Sequence, residues 1–266
     1  MRIAALQWDI RPGDAAANRA YVLHEVARLC TEVGAKPDIL VLPELWTTAY
    51  DYPSLSREAE AEQQTTTLFL ADLAKHHHVN IVGGSMAERR EGKVYNTAKV
   101  FNRQGECVYT YSKVHLVPMF GEPSYFVAGT EPAQMFMLDG MPMGVIICYD
   151  LRFGELLRPL AVEGALVLFV VAEWPGSRIG HWEALLKARA IENQQLVVAA
   201  NRVGHYDGVQ FGGRSLAYNA LGEQLGMGDA LLESTLLIDV DAEQLAIQHN
   251  HLPVFTSRRP DIYRRV

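Results

Sequence analysis

The sequence predicts a single-domain α/β protein, and three observations lead to that class. Short apolar runs of strand length alternate with helix-length amphipathic segments along the chain. The 266 residues are 49% hydrophobic and 21% charged, a composition typical of a globular protein with a substantial core. No internal repeat, low-complexity segment or long linker divides the chain. We therefore expect one domain that spans residues 1–266.

The first part of the chain predicts two successive β–α units. Residues 3–8 are strand-like, and residues 18–33 carry apolar side chains at helical spacing. Residues 38–43 form a continuously apolar run that stops at a proline, as expected of a strand covered on both faces. A helix is predicted at residues 65–75 and the next strand at residues 80–86.

The remaining elements continue this alternation between two hairpin regions. The central hairpin joins residues 95–102 to residues 106–111 through a short turn that contains glycine. The other predicted elements are strands at residues 143–148, 165–172, 196–200 and 231–240, helices at residues 151–164 and 181–195, and a closing hairpin region at residues 212–225. This order favours a layered α/β architecture over an all-β sandwich or a helical bundle.

Charge and cysteine content exclude several classes of partner. The net charge of −7 provides no cationic field for nucleic acid or anionic lipid, so we expect neither. The longest apolar stretch, residues 165–172, is far shorter than the roughly 20 residues of a membrane span. Three cysteines and the absence of a visible signal peptide favour a reducing compartment. We expect a cytoplasmic protein.

Three reactive side chains, Glu44, Lys113 and Cys148, each follow a predicted strand. Because the carboxyl ends of strands can meet at one edge of a sheet, these side chains could share a pocket. A thiol nucleophile, a carboxylate that moves protons and an ammonium that stabilises an oxyanion suit acyl transfer without a metal. A helix from residue 151 would favour the thiolate, and the N–H of Tyr149 could donate to the oxyanion. Spacing alone leaves open a buried core cysteine and solvent-facing charged residues.

The segment Gly-Val-Ile-Ile-Cys-Tyr-Asp-Leu-Arg-Phe at residues 144–153 resembles the nucleophile motif of the nitrilase superfamily, the carbon–nitrogen hydrolases. Val-Leu-Pro-Glu at residues 41–44 and Tyr-Ser-Lys-Val-His-Leu at residues 111–116 resemble the family's glutamate and lysine motifs, in the family's order. Further similar segments lie at residues 172–175, 181–194, 201–204 and 258–263. The resemblance covers essentially the whole chain. It departs from the family at Gly154, where proline is usual.

This resemblance implies an α-β-β-α sandwich that dimerises into an αββα-αββα stack. It implies an enzyme without a cofactor or metal, in which Glu44 is the general base and acid, Lys113 stabilises the oxyanion and Cys148 is the nucleophile that forms a thioester. Glu122 matches the position of the family's second glutamate, which helps to orient the lysine or the substrate.

The residues after the nucleophile resemble the branch that contains omega-amidases and deaminated-glutathione amidases, whereas nitrilases usually carry Cys-Trp-Glu. By this analogy we expect hydrolysis of a small linear amide that bears a carboxylate, such as 2-oxoglutaramate to 2-oxoglutarate and ammonia. The open alternatives are a deaminated-glutathione amidase, an N-carbamoyl amidohydrolase and a non-catalytic binding member of the fold.

The remaining candidate residues have both functional and structural interpretations. Arg178 or Arg152 could bind a substrate carboxylate, although a structural ion pair is the alternative for each. Trp174 and Tyr125 could line the substrate pocket or pack in the core.

The run His76-His77-His78 raises the alternative of a metal hydrolase. Consecutive histidines do not present the i, i+4 face of a helical metal site, so we expect no metal there and place them at a helix end. Cys30 and Cys107 are expected to be inert core residues.

Overall fold

The computed structural model describes residues 1–32, 34 and 36–263, except for the side chains of residues 56–58 and 60–62. The strands in chain order are β1 (Arg2–Gln7), β2 (Ile39–Val41), β3 (Asn80–Arg90), β4 (Lys93–Phe101), β5 (Cys107–Ser112), β6 (Phe136–Leu138), β7 (Met141–Ile147), β8 (Val167–Val171), β9 (Leu196–Ala200), β10 (His205–Tyr206), β11 (Val209–Gln210), β12 (Leu216–Tyr218), β13 (Gln224–Met227) and β14 (Ser234–Asp239). The α-helices are α1 (Ala15–Thr31), α2 (Tyr52–His77), α3 (Gly154–Val162), α4 (Ile179–Asn193) and α5 (Ala242–His249).

The strands form two six-stranded sheets and a small hairpin. The first sheet has the order β14-β1-β2-β3-β4-β5, the second has the order β13-β12-β9-β8-β7-β6, and β10 pairs with β11. Each large sheet has three parallel strands at its centre, β1-β2-β3 in the first and β7-β8-β9 in the second, with antiparallel strands on both sides. The carboxyl ends of the parallel strands build the site described below.

Side chains that alternate along β1 show how the layers stack. Ile3 and Ala5 pack in the core between the two sheets, together with residues of β7, β8 and β9. Ala4 and Leu6 point to the opposite face, where they pack against α1 and α2. On the far side, residues of α3 and α4 pack on the second sheet. The result is the expected α-β-β-α sandwich, while the dimeric stack stays a prediction. Across the described residues, no helix combines the length and apolarity of a membrane span.

Most predicted elements are confirmed within a few residues, and α2 is the largest difference. It begins at Tyr52 rather than near residue 65, after Asp51 as the N-cap and with a proline in its first turn. Its first half is rich in polar residues that hide the helical period, although Leu55 and Ala59 are buried. Helix α1 matches the predicted residues 18–33 closely, but Val33 lies outside the described residues.

One further prediction is corrected by the structure. The α-helix after Cys148 starts at Gly154, because residues Cys148–Arg152 form a 3₁₀ turn first. The predicted closing hairpin is confirmed as β12 and β13, and the predicted strand at residues 231–240 is confirmed as β14, which pairs with β1 in the first sheet. The sequence reasoning missed β6, β10, β11 and α5, which are short elements of 2 to 8 residues.

Candidate active site

Glu44, Lys113 and Cys148 lie at the carboxyl ends of β2, β5 and β7, and the structure brings them together between the two sheets. Their exposed fractions are 0%, 1% and 4%, so the three groups act on one another with little solvent screening. The first two come from one sheet and Cys148 comes from the other. The site therefore exists only where the sheets face each other.

The Lys113 ammonium lies between two buried carboxylates. Its Nζ donates hydrogen bonds of 2.7 Å to Glu44 Oε1 and 2.7 Å to Glu122 Oε1. Burial alone would lower the pKa of Lys113, but Glu122 and Glu44 outweigh burial and raise this pKa well above its usual value. Burial also raises the pKa of Glu122, against the opposing charge of Lys113. Lys113 thus keeps its positive charge at neutral pH.

Hydrogen bonds fix the Glu44 carboxylate at both oxygens. Asn96 Nδ2 donates to Oε1 at 2.9 Å, and the backbone N–H of Glu173 donates to Oε2 at 2.9 Å. The Tyr50 hydroxyl lies 3.1 Å from Glu44 Oε1 and 2.6 Å from Glu122 Oε1, so its single proton lies between two carboxylates. These hydrogen bonds hold the Glu44 carboxylate in one orientation.

Cys148 has a positive φ of 47° at the start of its 3₁₀ turn. A non-glycine residue in this region costs on the order of 1 kcal/mol and persists only where the surroundings enforce it. Burial, followed by the negative charge of Glu44, raises the pKa of the Cys148 thiol well above its usual value. The expectation of a thiolate was wrong, because desolvation outweighs any dipole of a five-residue turn. The resting group is a thiol that needs a base.

Asp150 holds the cysteine turn to the lysine segment. Its Oδ2 accepts a hydrogen bond of 2.8 Å from the Tyr111 hydroxyl and one of 3.3 Å from the N–H of Ile147. Its Oδ1 accepts from the N–H of His115 at 3.0 Å and lies 2.8 Å from His115 Nδ1. Tyr111 and His115 flank Lys113 in sequence, so one buried carboxylate sets the position of the Lys113 segment relative to Cys148.

Gly154 lies where α3 meets the side chain of Arg189. The Arg189 guanidinium donates from Nε and Nη2 to the carbonyl oxygen of Leu151, at 3.1 and 3.0 Å. A Cβ at residue 154 would lie 3.2 Å from Arg189 Nη1, which is a tight contact. Glycine leaves room for this arginine at the end of the cysteine turn.

A narrow cleft of about 20 Å³ lies beside Cys148. Tyr149, Arg152, Trp174 and Arg178 all line it. The Arg152 guanidinium lies 4.7 Å from the centre of the Trp174 ring, and in the described part of the chain it has no carboxylate partner. Trp174 is also 2% exposed, so it both lines the cleft and packs in the core. The cleft offers two cations beside the thiol.

The Arg178 side chain is half-buried, and no hydrogen bond or ion pair to it is seen among residues 1–32, 34 and 36–263. Its backbone oxygen accepts from Trp174 Nε1 at 2.9 Å, which anchors the residue. Tyr125 lies elsewhere: it is 49% exposed, stacks on Tyr52 at 3.9 Å and is not part of the cleft wall.

The other cysteines and the histidine run lie away from the site. Cys107 is exposed at the start of the edge strand β5, so the expectation of a core position was wrong for it, and Cys30 is half-buried. His76 and His77 end α2, and His78 is its left-handed C-cap, as predicted. Within the described residues no group of three or more potential ligands is arranged to hold a metal.

Sequence reasoning missed the residues that orient the reactive groups: Tyr50, Asn96, Asp150 and Glu173. Asp150 lies inside the recognised nucleophile motif, so its position two residues after the cysteine was an available signal. Tyr50 and Asn96 follow no pattern, because their contacts with Glu44 depend on the path of a loop and on the packing of β4.

Glu173 is a buried carboxyl group behind Glu44. Its Oε2 accepts a hydrogen bond of 3.0 Å from Arg202 Nη1, while its Oε1 has no hydrogen-bond partner among the described residues. Burial raises the pKa of Glu173 to about 8, against the opposing effect of Arg202, and the charge of Glu44 raises it further. Near neutral pH this carboxyl is therefore largely protonated.

We expect Glu173→Gln to remove a pH dependence of stability. Between its usual pKa of 4.5 and about 8, native Glu173 keeps a proton that the unfolded chain has lost. This stabilising contribution is complete below about pH 4.5 and is lost as the pH rises to 8. From about pH 6 to about pH 8.5, the wild type should lose about 2 kcal/mol of unfolding free energy relative to the variant. Urea denaturation at both pH values checks this, and parallel changes in the two proteins would contradict it.

Comparisons with known proteins show the family of this chain. A family model described as carbon–nitrogen hydrolase matches residues 2–247. The chain is 38% identical to a 2-oxoglutaramate amidase of Bacillus subtilis (strain 168), over 98% of each chain. It is 37% identical to a Staphylococcus aureus protein named hydrolase in agr operon, over 99% of this chain and 100% of that one.

A solved structure extends the similarity to three dimensions. It is a mutant of the amidase from Nesterenkonia sp. AN1 that shows Michael addition of acrylamide at the active-site cysteine. This chain superposes on it with a TM-score of 0.83 and 29% identity, over 92% of this chain and 95% of that one. The family model spans most of the chain, and both relatives exceed 30% identity over nearly its whole length. The chain therefore belongs to the carbon–nitrogen hydrolase family, as its three motifs predict.

Proposed function

We propose that this enzyme is a cysteine-dependent amidase that hydrolyses a small linear amide bearing a carboxylate, of the omega-amidase type. The observation that carries the proposal is the buried Glu44–Lys113 pair next to the Cys148 thiol, with a hydrogen-bonded second carboxylate at Glu122. Such a set contains a nucleophile, a proton acceptor and a fixed cation, which are the groups that acyl transfer requires.

In the acylation half of the proposed mechanism, Glu44 takes the thiol proton as Cys148 Sγ attacks the amide carbon. The negative charge that develops on the carbonyl oxygen is stabilised by the Lys113 ammonium and by the backbone N–H of Tyr149. Collapse of the tetrahedral intermediate breaks the C–N bond, and Glu44 returns the proton to the leaving nitrogen. Ammonia departs and a thioester remains on Cys148.

In the second half, a water molecule loses a proton to Glu44 and attacks the thioester. The carboxylic acid leaves, and the thiol is restored when the proton returns to sulfur. Glu122 and the Tyr50 hydroxyl keep Lys113 and Glu44 in place throughout both halves. Apart from this water, the proposed steps use only groups of the chain and the substrate.

The proposed substrate class rests on the cleft and on the relatives. Arg178 presents a guanidinium that has no partner within the described chain, next to the thiol, and guanidinium groups bind carboxylates in a bidentate manner. The Bacillus subtilis relative acts, by its name, on 2-oxoglutaramate, a linear amide with a carboxylate at the far end. We propose the same class here.

Ammonia release from a panel of amides tests the proposal. The panel contains 2-oxoglutaramate, 2-oxosuccinamate, deaminated glutathione, an N-carbamoyl amine and a simple nitrile, with Cys148→Ala as the blank. For deaminated glutathione, whose amide nitrogen carries a substituent, the cysteinylglycine released is measured instead of ammonia. Turnover of the oxo-acid amides alone supports the omega-amidase type. Turnover only of carbamoyl compounds or nitriles would keep the family chemistry but contradict the substrate class. Loss of activity on addition of a chelator would favour a metal hydrolase instead.

We expect Arg178→Gln to lower kcat/KM for 2-oxoglutaramate by about 10- to 100-fold, because a charged hydrogen bond to the substrate contributes about 1.5–3 kcal/mol. The effect should appear mainly in KM, and turnover of the neutral amide butyramide should change little. Arg152→Gln is the matched control in the same cleft. A selective loss in the Arg152 variant, and not in the Arg178 variant, would show that Arg152 rather than Arg178 binds the substrate carboxylate.

We also propose that residues 1–266 form one domain and that the protein is a cytoplasmic homodimer, as the family resemblance implies. Light scattering of the purified protein gives its mass in solution. A mass near 29.6 kDa, that of one chain, would contradict the dimer.

A further inference from the structure

A second cavity, of about 170 Å³, adjoins the cleft at Cys148. We call it the aromatic cavity, because most of its wall consists of the rings of Tyr50, Tyr52, Phe120, Tyr206 and Phe211. Met119 and Phe120 belong to the walls of both spaces. The aromatic cavity and the cleft therefore share part of their walls, the 3₁₀ turn Pro118–Phe120.

The aromatic cavity lies on the proton-transfer side of the site. Tyr50 forms part of its wall, and the hydroxyl of the same residue lies 3.1 Å from Glu44 Oε1. The cleft, in contrast, contains Cys148 itself. In the proposed reaction the leaving nitrogen must receive its proton from Glu44, so it lies between the amide carbon and that carboxylate. Any substituent on the nitrogen is thus directed away from the sulfur, toward the side of Tyr50.

The two spaces differ in charge. The cleft contains Arg152 and Arg178 and no acidic residue, which suits an anionic acyl chain. The aromatic cavity contains Asp207 and neither lysine nor arginine in its wall. Aromatic faces and one carboxylate suit an apolar or cationic group and disfavour an anion. The substrate is therefore expected to lie with its carboxylate toward the arginines and its amine side toward the rings.

Fixed contacts preform the aromatic cavity. The Tyr206 hydroxyl donates to Asp51 Oδ1 at 3.1 Å, which ties the β10–β11 hairpin to the start of α2. The Tyr52 hydroxyl donates to the carbonyl oxygen of Phe120 at 2.6 Å. The Phe211 ring lies 4.4 Å from the buried Arg202 guanidinium. A wall held at three points needs little reordering when a ligand enters.

We propose that the aromatic cavity is a leaving-group subsite that accepts the substituent of an N-arylalkyl amide, so that the enzyme also hydrolyses secondary amides. This inference rests on the proposed function. Cys148 Sγ forms the bond to carbon, the C–N bond breaks, and the amine departs with the proton from Glu44. Water then cleaves the thioester, so the products are one amine and one carboxylic acid per water consumed. The subsite adds a class of leaving group to the proposed reaction.

The test compares three amides of 2-oxoglutarate: the primary amide 2-oxoglutaramate, which we call the primary amide, its N-benzyl derivative, the N-benzyl amide, and its N-carboxymethyl derivative, the N-carboxymethyl amide. Release of ammonia, benzylamine and glycine gives kcat/KM for each. We expect the N-benzyl amide to be hydrolysed and the N-carboxymethyl amide to be the poorest substrate. Val209→Trp places a large ring in the cavity wall and should lower kcat/KM for the N-benzyl amide about 10- to 100-fold more than for the primary amide. Turnover of the primary amide shows that the variant is folded.

His205→Trp is the matched control, because it adds the same ring to an exposed position of the same hairpin, outside the cavity wall. It should leave the ratio of the two rates unchanged. Hydrolysis of the primary amide alone would overturn the subsite and leave the proposed function intact. Equal losses for both amides in Val209→Trp would also overturn it. If none of the three amides is hydrolysed, the proposed function itself fails.

Discussion

Cys148→Ala is expected to lower kcat for amide hydrolysis by about 10⁵-fold or more, since in the proposed mechanism it removes the atom that forms the covalent intermediate. The fold should survive, because alanine is smaller than cysteine and the turn is held by Asp150 and Arg189 rather than by the thiol. A stopped assay of ammonia release measures kcat, and the midpoint of urea denaturation measures whether the fold survives. Any residual rate would reflect binding and the oxyanion donors alone.

Cys107→Ala is the control for this variant, because Cys107 is exposed at the start of the edge strand β5, at the opposite end of that strand from Lys113. It should retain the wild-type kcat. Iodoacetamide should modify exposed Cys107 before the buried Cys148 and cause no loss of activity at that stage. Full activity of Cys148→Ala would show that another group is the nucleophile.

Lys113→Met is expected to abolish activity and also to lower the free energy of unfolding by about 3–5 kcal/mol. The side chain is fully buried, and its removal leaves Glu44 and Glu122 next to each other without a cation. Lys113 opposes the effect of burial on Glu122, so without it the pKa of Glu122 should rise further. The variant should therefore lose more stability as the pH rises, which urea denaturation at about pH 5.5 and about pH 8 will show.

Lys99 offers a matched control for the buried charge. Its Nζ lies 3.0 Å from Glu88 Oε1, and both side chains are mostly buried, but the pair lies outside the site. Lys99→Met should lower stability while kcat stays near the wild-type value. If Lys113→Met and Lys99→Met lose activity to the same extent, Lys113 has only a structural role.

The alternation of strands and helices predicted the α/β class, and the resemblance of the motifs to a known family predicted the α-β-β-α layers that the structure shows. The position of Glu44, Lys113 and Cys148 after strands predicted that they could meet, which the structure shows, while their roles stay proposals. Other features depend on packing between segments distant in sequence. The start of α2 at Tyr52 is one, because its polar first half shows no clear apolar face.

The chemistry of Cys148 shows a second limit of sequence reasoning. A helix after a cysteine favours the thiolate in general, but here the thiol is buried and lies near the negative charge of Glu44, so its pKa rises. The depth of burial depends on how the two sheets meet. Tyr50 and Asn96 were not predicted for the same reason, since only the folded structure brings them into hydrogen-bond contact with Glu44.

The placement of the site across the two sheets has a consequence for folding. Glu44 and Lys113 belong to the first half of the chain and Cys148 to the second, and Asp150 joins the halves by its bonds to Tyr111 and His115. Contacts between such distant segments form only after large loops have closed. An intermediate in which each sheet has formed but the two have not docked would have native secondary structure and no catalytic activity. During refolding, the recovery of catalysis should therefore lag behind the far-ultraviolet circular dichroism signal and report the docking of the sheets.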